Sequence, residues 1–219
     1  YEKLQEPAKI IKKGGIVVFP TETVYGIGTN GLDEKAIERL YKVKKRPINK
    51  PISLLVSNIE MVEKLAKDIT SLEYKLMKAF FPGPLTIILK KKEIIPNILT
   101  ANTDTIGIRM PNAEIARKLI EYANVPIAAP SANISGKPTG TNIESIIEDF
   151  GENGDFYIDE GESKLGIGST IVKVEDGIPK ILREGSISKE EIEKCIEKWL
   201  EMYLNKIILN IRLINNIVE

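Results

Sequence analysis

IVVFPTETVYGIGTNGLDEKAIERLYKV, residues 16–43, is the stretch that decides the fold class. Ile16 to Phe19 is a compact run rich in β-branched residues, which reads as a strand and ends at Pro20. Asp33 then stands where a helix wants its N-cap, and Ala36, Ile37, Leu40 and Val43 follow at the spacing of one helical face. The stretch is therefore a strand, a loop and a helix. In the loop, Gly26 and Gly28 permit close backbone approach.

The same switching of period continues along the chain. Ile52 to Val56 reads as a strand, Asn58 as the cap of a helix carrying Met61, Val62 and Leu65, and Thr70 with Glu73 as a capping box opening the next helix. Pro82 and Pro84 end that helix, and strands resume at Leu85 to Leu89, Thr105 to Met110 and Pro126 to Ala129. Asn112 and Thr141 are expected to cap the helices between and after them. The runs Phe156 to Ile158, Thr170 to Val174 and Ile178 to Leu182 come without intervening helices, so the sheet should be mixed rather than parallel throughout. The expected fold is α/β, a single-domain twisted open mixed sheet flanked by helices. It divides into a catalytic domain over residues 1–187 and a C-terminal helix and tail over 188–219. Ser188 and Glu191 form the helix's capping box, and Ile192, Ile196, Trp199, Leu200 and Tyr203 give it an apolar face. KIILNIRLINNIVE, residues 206–219, is apolar-rich without a clear period.

Composition removes several function classes. Lys plus Arg and Asp plus Glu are both 31, so the chain lacks the basic excess of a nucleic-acid-binding domain, and any RNA contact has to come from a local patch. There is no histidine and one cysteine, Cys195, which rules out Ser-His-Asp and Cys-His catalysis, an intrachain disulfide and the usual zinc ligands. No apolar run long enough for a membrane span or a secretion signal occurs, which places the expected chain in the cytoplasm, away from membranes.

Two distant blocks carry the chemistry. Lys44-Lys45-Arg46-Pro47 offers a point charge and a planar fork of donors, and Ser131-Ala132-Asn133 offers polar groups without charge. Alone, the basic block would read as a helix end whose cations meet the C-terminal dipole. Together the blocks point to a pocket for a phosphorylated nucleotide. GKPT at 136–139 is no Walker A loop, because Ser131 stands in place of its first glycine and a proline follows Lys137.

PTETVYGIG (20–28), Lys44 to Pro47, FPGPLT (81–86), GIRMP (107–111), PSANISG (130–136), STIV (169–172) and LREG (182–185) follow one another in an order that resembles the YrdC-type threonylcarbamoyl-AMP synthase family, in its short, single-domain form. The resemblance implies an ATP-dependent nucleotidyltransferase. L-threonine and bicarbonate or carbon dioxide form a carbamate, whose oxygen attacks the α-phosphorus of ATP and expels pyrophosphate. The threonylcarbamoyl-adenylate then serves tRNA modification next to the anticodon, through a downstream threonylcarbamoyl transferase complex.

By the same resemblance Lys44 and Arg46 are the catalytic pair, stabilising the charge that develops on the phosphates. ATP binding falls to Lys44, Arg46, Thr105, Ser131, Asn133, Thr139 and Arg183, and threonine binding to Thr21, Ser53, Arg109, Ala129 and Ser169. Arg109 suits a carboxylate because its guanidinium can engage both oxygens. Thr21 and Thr23 have a plainer reading as a turn in which they bond their own backbone. Lys173 follows STIV where the family usually has an acidic residue. Mg is expected as a cofactor held mainly by ATP phosphates, since no carboxylate cluster marks protein ligands. Two alternatives stand beside the synthase: a double-stranded RNA-binding module for ribosome maturation, and a carbamoyl-transfer paralogue, which would need zinc-binding cysteines that this chain lacks.

Overall fold

The computed structural model describes residues 2–139, 142–161 and 165–202. The opening unit forms, with one strand more than expected. After β1 (Val17–Phe19) the chain turns and pairs back antiparallel as β2 (Gly26–Asn30), with Val17 opposite Gly28 and Phe19 opposite Gly26. The close approach permitted by the two glycines is made largely by the Phe19 ring. A Cβ on Gly26 would lie 3.3 Å from Phe19 Cζ, and one on Gly28 would lie 3.1 Å from Phe19 Cε1 and 2.6 Å from Ile127 Cγ2. Phe19 is fully buried as a result. Gly28→Ala is therefore expected to destabilise the protein by about 1–3 kcal/mol through overpacking. An unchanged denaturant midpoint would show that the ring can move aside.

Helices begin where side chains can take their first amides. Asp33 accepts from Ala36 N at 3.1 Å and opens α2 (Glu34–Val43), and Asn58 accepts from Met61 N at 2.8 Å and opens α3 (Ile59–Leu65). Thr70 and Glu73 exchange their two bonds at the head of α4 (Ser71–Phe80). Ser188 and Glu191 do the same for the helix over residues 189–202.

Two expected caps are corrected. The helix α5 (Glu114–Ala123) starts one residue later than Asn112 can serve, so its N-cap is Ala113, which makes no side-chain bond. Asn142 caps α6 (Ile143–Phe150) by accepting from Ser145 N at 3.0 Å; Thr141 lies outside the described residues. Residues 203–219 lie outside them too, and with them the apolar tail and Tyr203.

The remaining strands are β3 (Leu54–Leu55), β4 (Ala66–Lys67), β5 (Leu85–Lys91), β6 (Thr105–Arg109), β7 (Ile127–Ala128), β8 (Phe156–Tyr157), β9 (Thr170–Glu175) and β10 (Ile178–Arg183). They join β1 and β2 in one mixed sheet of order β10-β9-β5-β6-β3-β7-β2-β1-β8, with β4 pairing on β5. The pairs β1–β8, β3–β6 and β5–β9 are parallel, and the others antiparallel.

A helix that sequence periodicity did not announce, α1 (Gln5–Lys12), buries Ala8 and Ile11 in one cluster with Ala116, Leu119 and Ile120 of α5. A larger cluster gathers Ile37 and Leu40 of α2, Leu76 and Met77 of α4, and Ile87 and Ile108 of the sheet. Each fully buried Ile or Leu contributes about 1.5–3 kcal/mol of transfer free energy. The two clusters pack helices onto the sheet, and residues at strand ends and in the adjoining loops line a cleft.

Candidate active site

The loops converge on a cleft of about 400 Å³. Its wall is built from Ser53 just before β3, Thr86 in β5, Arg109 at the end of β6, Ala129 to Ser131 after β7, Ser169 just before β9 and Arg183 at the end of β10. Arg46, beyond the end of α2, and Thr139 close it. Eight of the residues singled out in the sequence thus meet in one place: Arg46, Ser53, Arg109, Ala129, Ser131, Thr139, Ser169 and Arg183.

Local bonding fixes these groups. Ser131 is bridged to Gly26, Ala132 N donates to Tyr25 O at 2.7 Å, and Ile27 N donates to Pro130 O at 3.0 Å, which zips the PSAN segment onto the start of β2. Arg46 donates from Nε to Lys50 O at 3.0 Å and from Nη2 to Pro51 O at 2.8 Å. The Arg183 guanidinium donates from Nη2 to Ser169 O at 2.7 Å, and the Ser169 hydroxyl is 2.7 Å from that of Thr86.

Three guanidinium groups therefore face one cavity. Burial pulls the Arg183 side chain below its ordinary value, with the positive charge of Arg109 adding to the effect, and burial does the same to Arg46. Both shifts record cations held away from water, and that of Arg183 also the nearness of Arg109, while Tyr41 opposes the shift of Arg46. An anionic ligand relieves both effects.

Four expected site residues do not line the cleft. Thr105 begins β6 while Arg109 ends it, and at a strand's rise the two stand about 13 Å apart. Thr21 follows its turn reading: its hydroxyl donates to Val24 O at 2.6 Å and accepts from Thr23 N, and Thr23 is the residue on the wall. Asn133 points into its own loop, with Nδ2 donating to Lys137 O at 2.7 Å and Oδ1 accepting from the Ser131 hydroxyl.

Lys44, the fourth, is 1% exposed at the C-cap of α2, with its amine donating to Ser131 O and Asn133 O. It ties the loop from behind and does not present its charge to the cavity.

Burial pushes the Lys44 amine down to about 7, with the Arg46 charge adding and Asp149 opposing. Between about pH 7 and the ordinary lysine value near 10.5, the unfolded chain holds a proton that the folded chain has released. Folding stability gains from this group as pH rises through that window and is flat in pH below it. Lys44→Met is expected to lack that gain, measured as the change in denaturant midpoint between pH 7 and 9 against the unmodified chain. Equal changes in both proteins would contradict it.

Two residues that sequence reasoning did not assign to the site meet Arg109. Thr23 accepts a hydrogen bond from Arg109 Nη1 at 2.9 Å, and Glu22 lies 2.7 Å from Arg109 Nη2. Only their place in the polar PTET turn could have marked them.

An open mixed sheet carrying a cleft with three arginines and several hydroxyls defines a binder of anionic ligands in the α/β class. The Sua5/YciO/YrdC family model, which bears the description telomere recombination, matches residues 9–185, and the chain belongs to this family. A threonylcarbamoyl-AMP synthase of Pyrococcus abyssi is 46% identical over 194 residues, covering 89% of this chain and 57% of that protein. A putative threonylcarbamoyl-AMP synthase of Methanocaldococcus jannaschii is 42% identical over 187 residues, covering 85% of this chain and 87% of that one. The crystal structure of P. abyssi Sua5 complexed with L-threonine superposes with a TM-score of 0.87 at 46% identity, over 89% of this chain and 57% of that one. The chain thus spans little more than half the length of the P. abyssi protein. Among the described residues no helix is long and apolar enough to cross a membrane.

Proposed function

We propose that this chain makes threonylcarbamoyl-adenylate from L-threonine, bicarbonate or carbon dioxide, and ATP, as a nucleotidyltransferase. The observation that carries the reading is the meeting of Arg46, Arg109 and Arg183 in one cleft with Ser53, Ser131 and Ser169 between them. The reaction brings a carboxylate, a carbamate and a triphosphate together, and negative charge moves onto pyrophosphate as the bond to the α-phosphorus breaks. A unit charge pair about 4 Å apart gains roughly 4 kcal/mol at an effective dielectric near 20, so fixed guanidiniums bear directly on the barrier.

In this reading Arg46 and Arg183 hold the nucleotide's phosphates, with Ser131 and Thr139. Arg109 takes the threonine carboxylate beside Ser53, Ala129 and Ser169. Lys44 keeps the Ser131 to Asn133 loop in place from behind the wall.

Glu184 is the carboxylate among the described lining residues. That donor set fits a Mg ion carried in by the phosphates and water better than one held by the protein. Bound there, Mg would neutralise charge on the leaving pyrophosphate. The product would pass in the cytoplasm to a transferase that modifies tRNA, and contact with that RNA would use a local surface, since the whole chain has no net charge.

Pyrophosphate release from ATP and bicarbonate tests the reading. Release should require L-threonine and fall sharply with serine or with no amino acid. Release that ignores the amino acid, or none despite ATP binding, would overturn it.

A further inference from the structure

Three buried polar atoms lie without a hydrogen bond beside the cleft's Arg109: both carboxylate oxygens of Glu22 and Nη2 of Arg109 itself. The two side chains are 10% and 9% exposed and touch at 2.7 Å as an ion pair, outside hydrogen-bond geometry. The other guanidinium nitrogens are held, Nε by Gly83 O at 3.3 Å and Nη1 by the Thr23 hydroxyl at 2.9 Å, so the free bonding capacity faces Glu22. Buried polar groups in folded proteins are almost always hydrogen-bonded, and a Glu22 carboxylate that has the Arg109 ion pair but accepts no hydrogen bond keeps capacity for a donor.

Glu22 lies immediately behind the wall, its carboxylate covered by neighbouring atoms. Thr23 and Val24, which follow it, line the cleft, and its backbone is pinned by Leu165 N donating to Glu22 O at 3.0 Å and Gly166 N to Thr23 O at 2.8 Å. A ligand that completes these three atoms must bring an acceptor for the guanidinium and N–H donors for the carboxylate, close together. A simple carboxylic acid or a phosphate supplies the first and sets an anion against Glu22, and a hydroxy acid adds one neutral O–H donor but no positive charge. An α-amino acid supplies both.

We propose that Glu22 is the amine-side anchor of the amino-acid subsite: when a ligand carboxylate takes Arg109 Nη2, the Glu22 carboxylate is released to accept the ligand's amine. Glu22 thereby makes the Arg109 subsite selective for amine-bearing carboxylates. This rests on the reading of the Arg109 end as an amino-acid site, and goes further in assigning the amine to a residue.

The test is calorimetric binding, in the presence of ATP, of L-threonine and of its analogue with hydroxyl in place of amine, (2S,3R)-2,3-dihydroxybutanoate, with glycine and L-serine against their own hydroxy-acid analogues as further pairs. The unmodified chain should prefer the amino acid of the pair it binds. Glu22→Gln should weaken the amino acid about tenfold or more, since a hydrogen bond to a charged acceptor is lost, and bring the pair to near equality. Glu22→Asp, which keeps the charge, should retain part of the preference.

A folded Glu22→Gln protein that keeps the full preference would overturn the proposal. So would an unmodified chain that binds the hydroxy acid as tightly as the amino acid, a result independent of any variant's folding. Preference for glycine or serine without threonine binding would sustain Glu22's role while removing threonine as substrate. An unmodified chain that binds no amino acid would remove both.

Discussion

Arg109→Ala is expected to lower folding stability by about 3–5 kcal/mol and to abolish amino-acid-dependent turnover together, because it strips a buried carboxylate of its counter-charge. Glu22 is 10% exposed, and the Arg109 guanidinium is the cation against it. For a chain of 219 residues that loss lowers the melting temperature by about 10 °C. The double variant Glu22→Gln, Arg109→Ala removes the unpaired charge and should recover most of the stability but none of the turnover. Denaturant midpoints of the single and double variants settle the first part, and pyrophosphate release the second. If single and double variants unfold at one denaturant concentration, the pair contributes nothing to the fold.

Arg46→Ala is expected to do the opposite, leaving the fold nearly unchanged and lowering kcat by about 10²–10³, the usual effect of removing one preorganised donor to developing charge. Its side chain is half-buried and its bonds to Lys50 O and Pro51 O aim the guanidinium across the cleft. Arg46→Lys should recover little, since an ammonium cannot keep both of those bonds and still present a planar fork to phosphate. Turnover of Arg46→Ala within about threefold of the unmodified chain would move the charge-stabilising role to Arg183.

Much of the fold was legible because its signals are local. Asp33, Asn58, Thr70 with Glu73, and Ser188 with Glu191 cap helices through bonds to residues three positions away. The strand β2 was hidden because Gly26 and Gly28, on either side of Ile27, read as loop residues. They are there to admit Phe19, from the neighbouring strand, and that need is invisible until the hairpin closes. Helix α1 was hidden because its apolar positions, Ala8 and Ile11, acquire meaning only against α5, more than a hundred residues later.

The site divides in the same way. The basic block and the polar block marked Arg46 and Ser131, and the family resemblance marked Arg109, Ser169 and Arg183; all five line the cleft. Side-chain direction was not legible in the sequence. Thr21 and Thr23 are alike in sequence, yet the hydroxyl of Thr21 closes the turn and that of Thr23 meets Arg109. Lys44 has the chemistry of a phosphate ligand, but as the C-cap of α2 its amine is drawn onto the carbonyls of Ser131 and Asn133. Glu22 had no signal of its own, because its partner lies 87 residues away at the end of β6.

The central claim, that one cleft joins carbon dioxide, threonine and adenylate, is tested most directly by incubating the chain with ATP, L-threonine and ¹³C-bicarbonate and weighing the nucleotide products by mass spectrometry. The product should be threonylcarbamoyl-adenylate heavier by a single ¹³C, formed in step with pyrophosphate and absent when threonine is withheld. ATP consumption without a labelled adenylate, or a labelled adenylate formed in the absence of threonine, would contradict it.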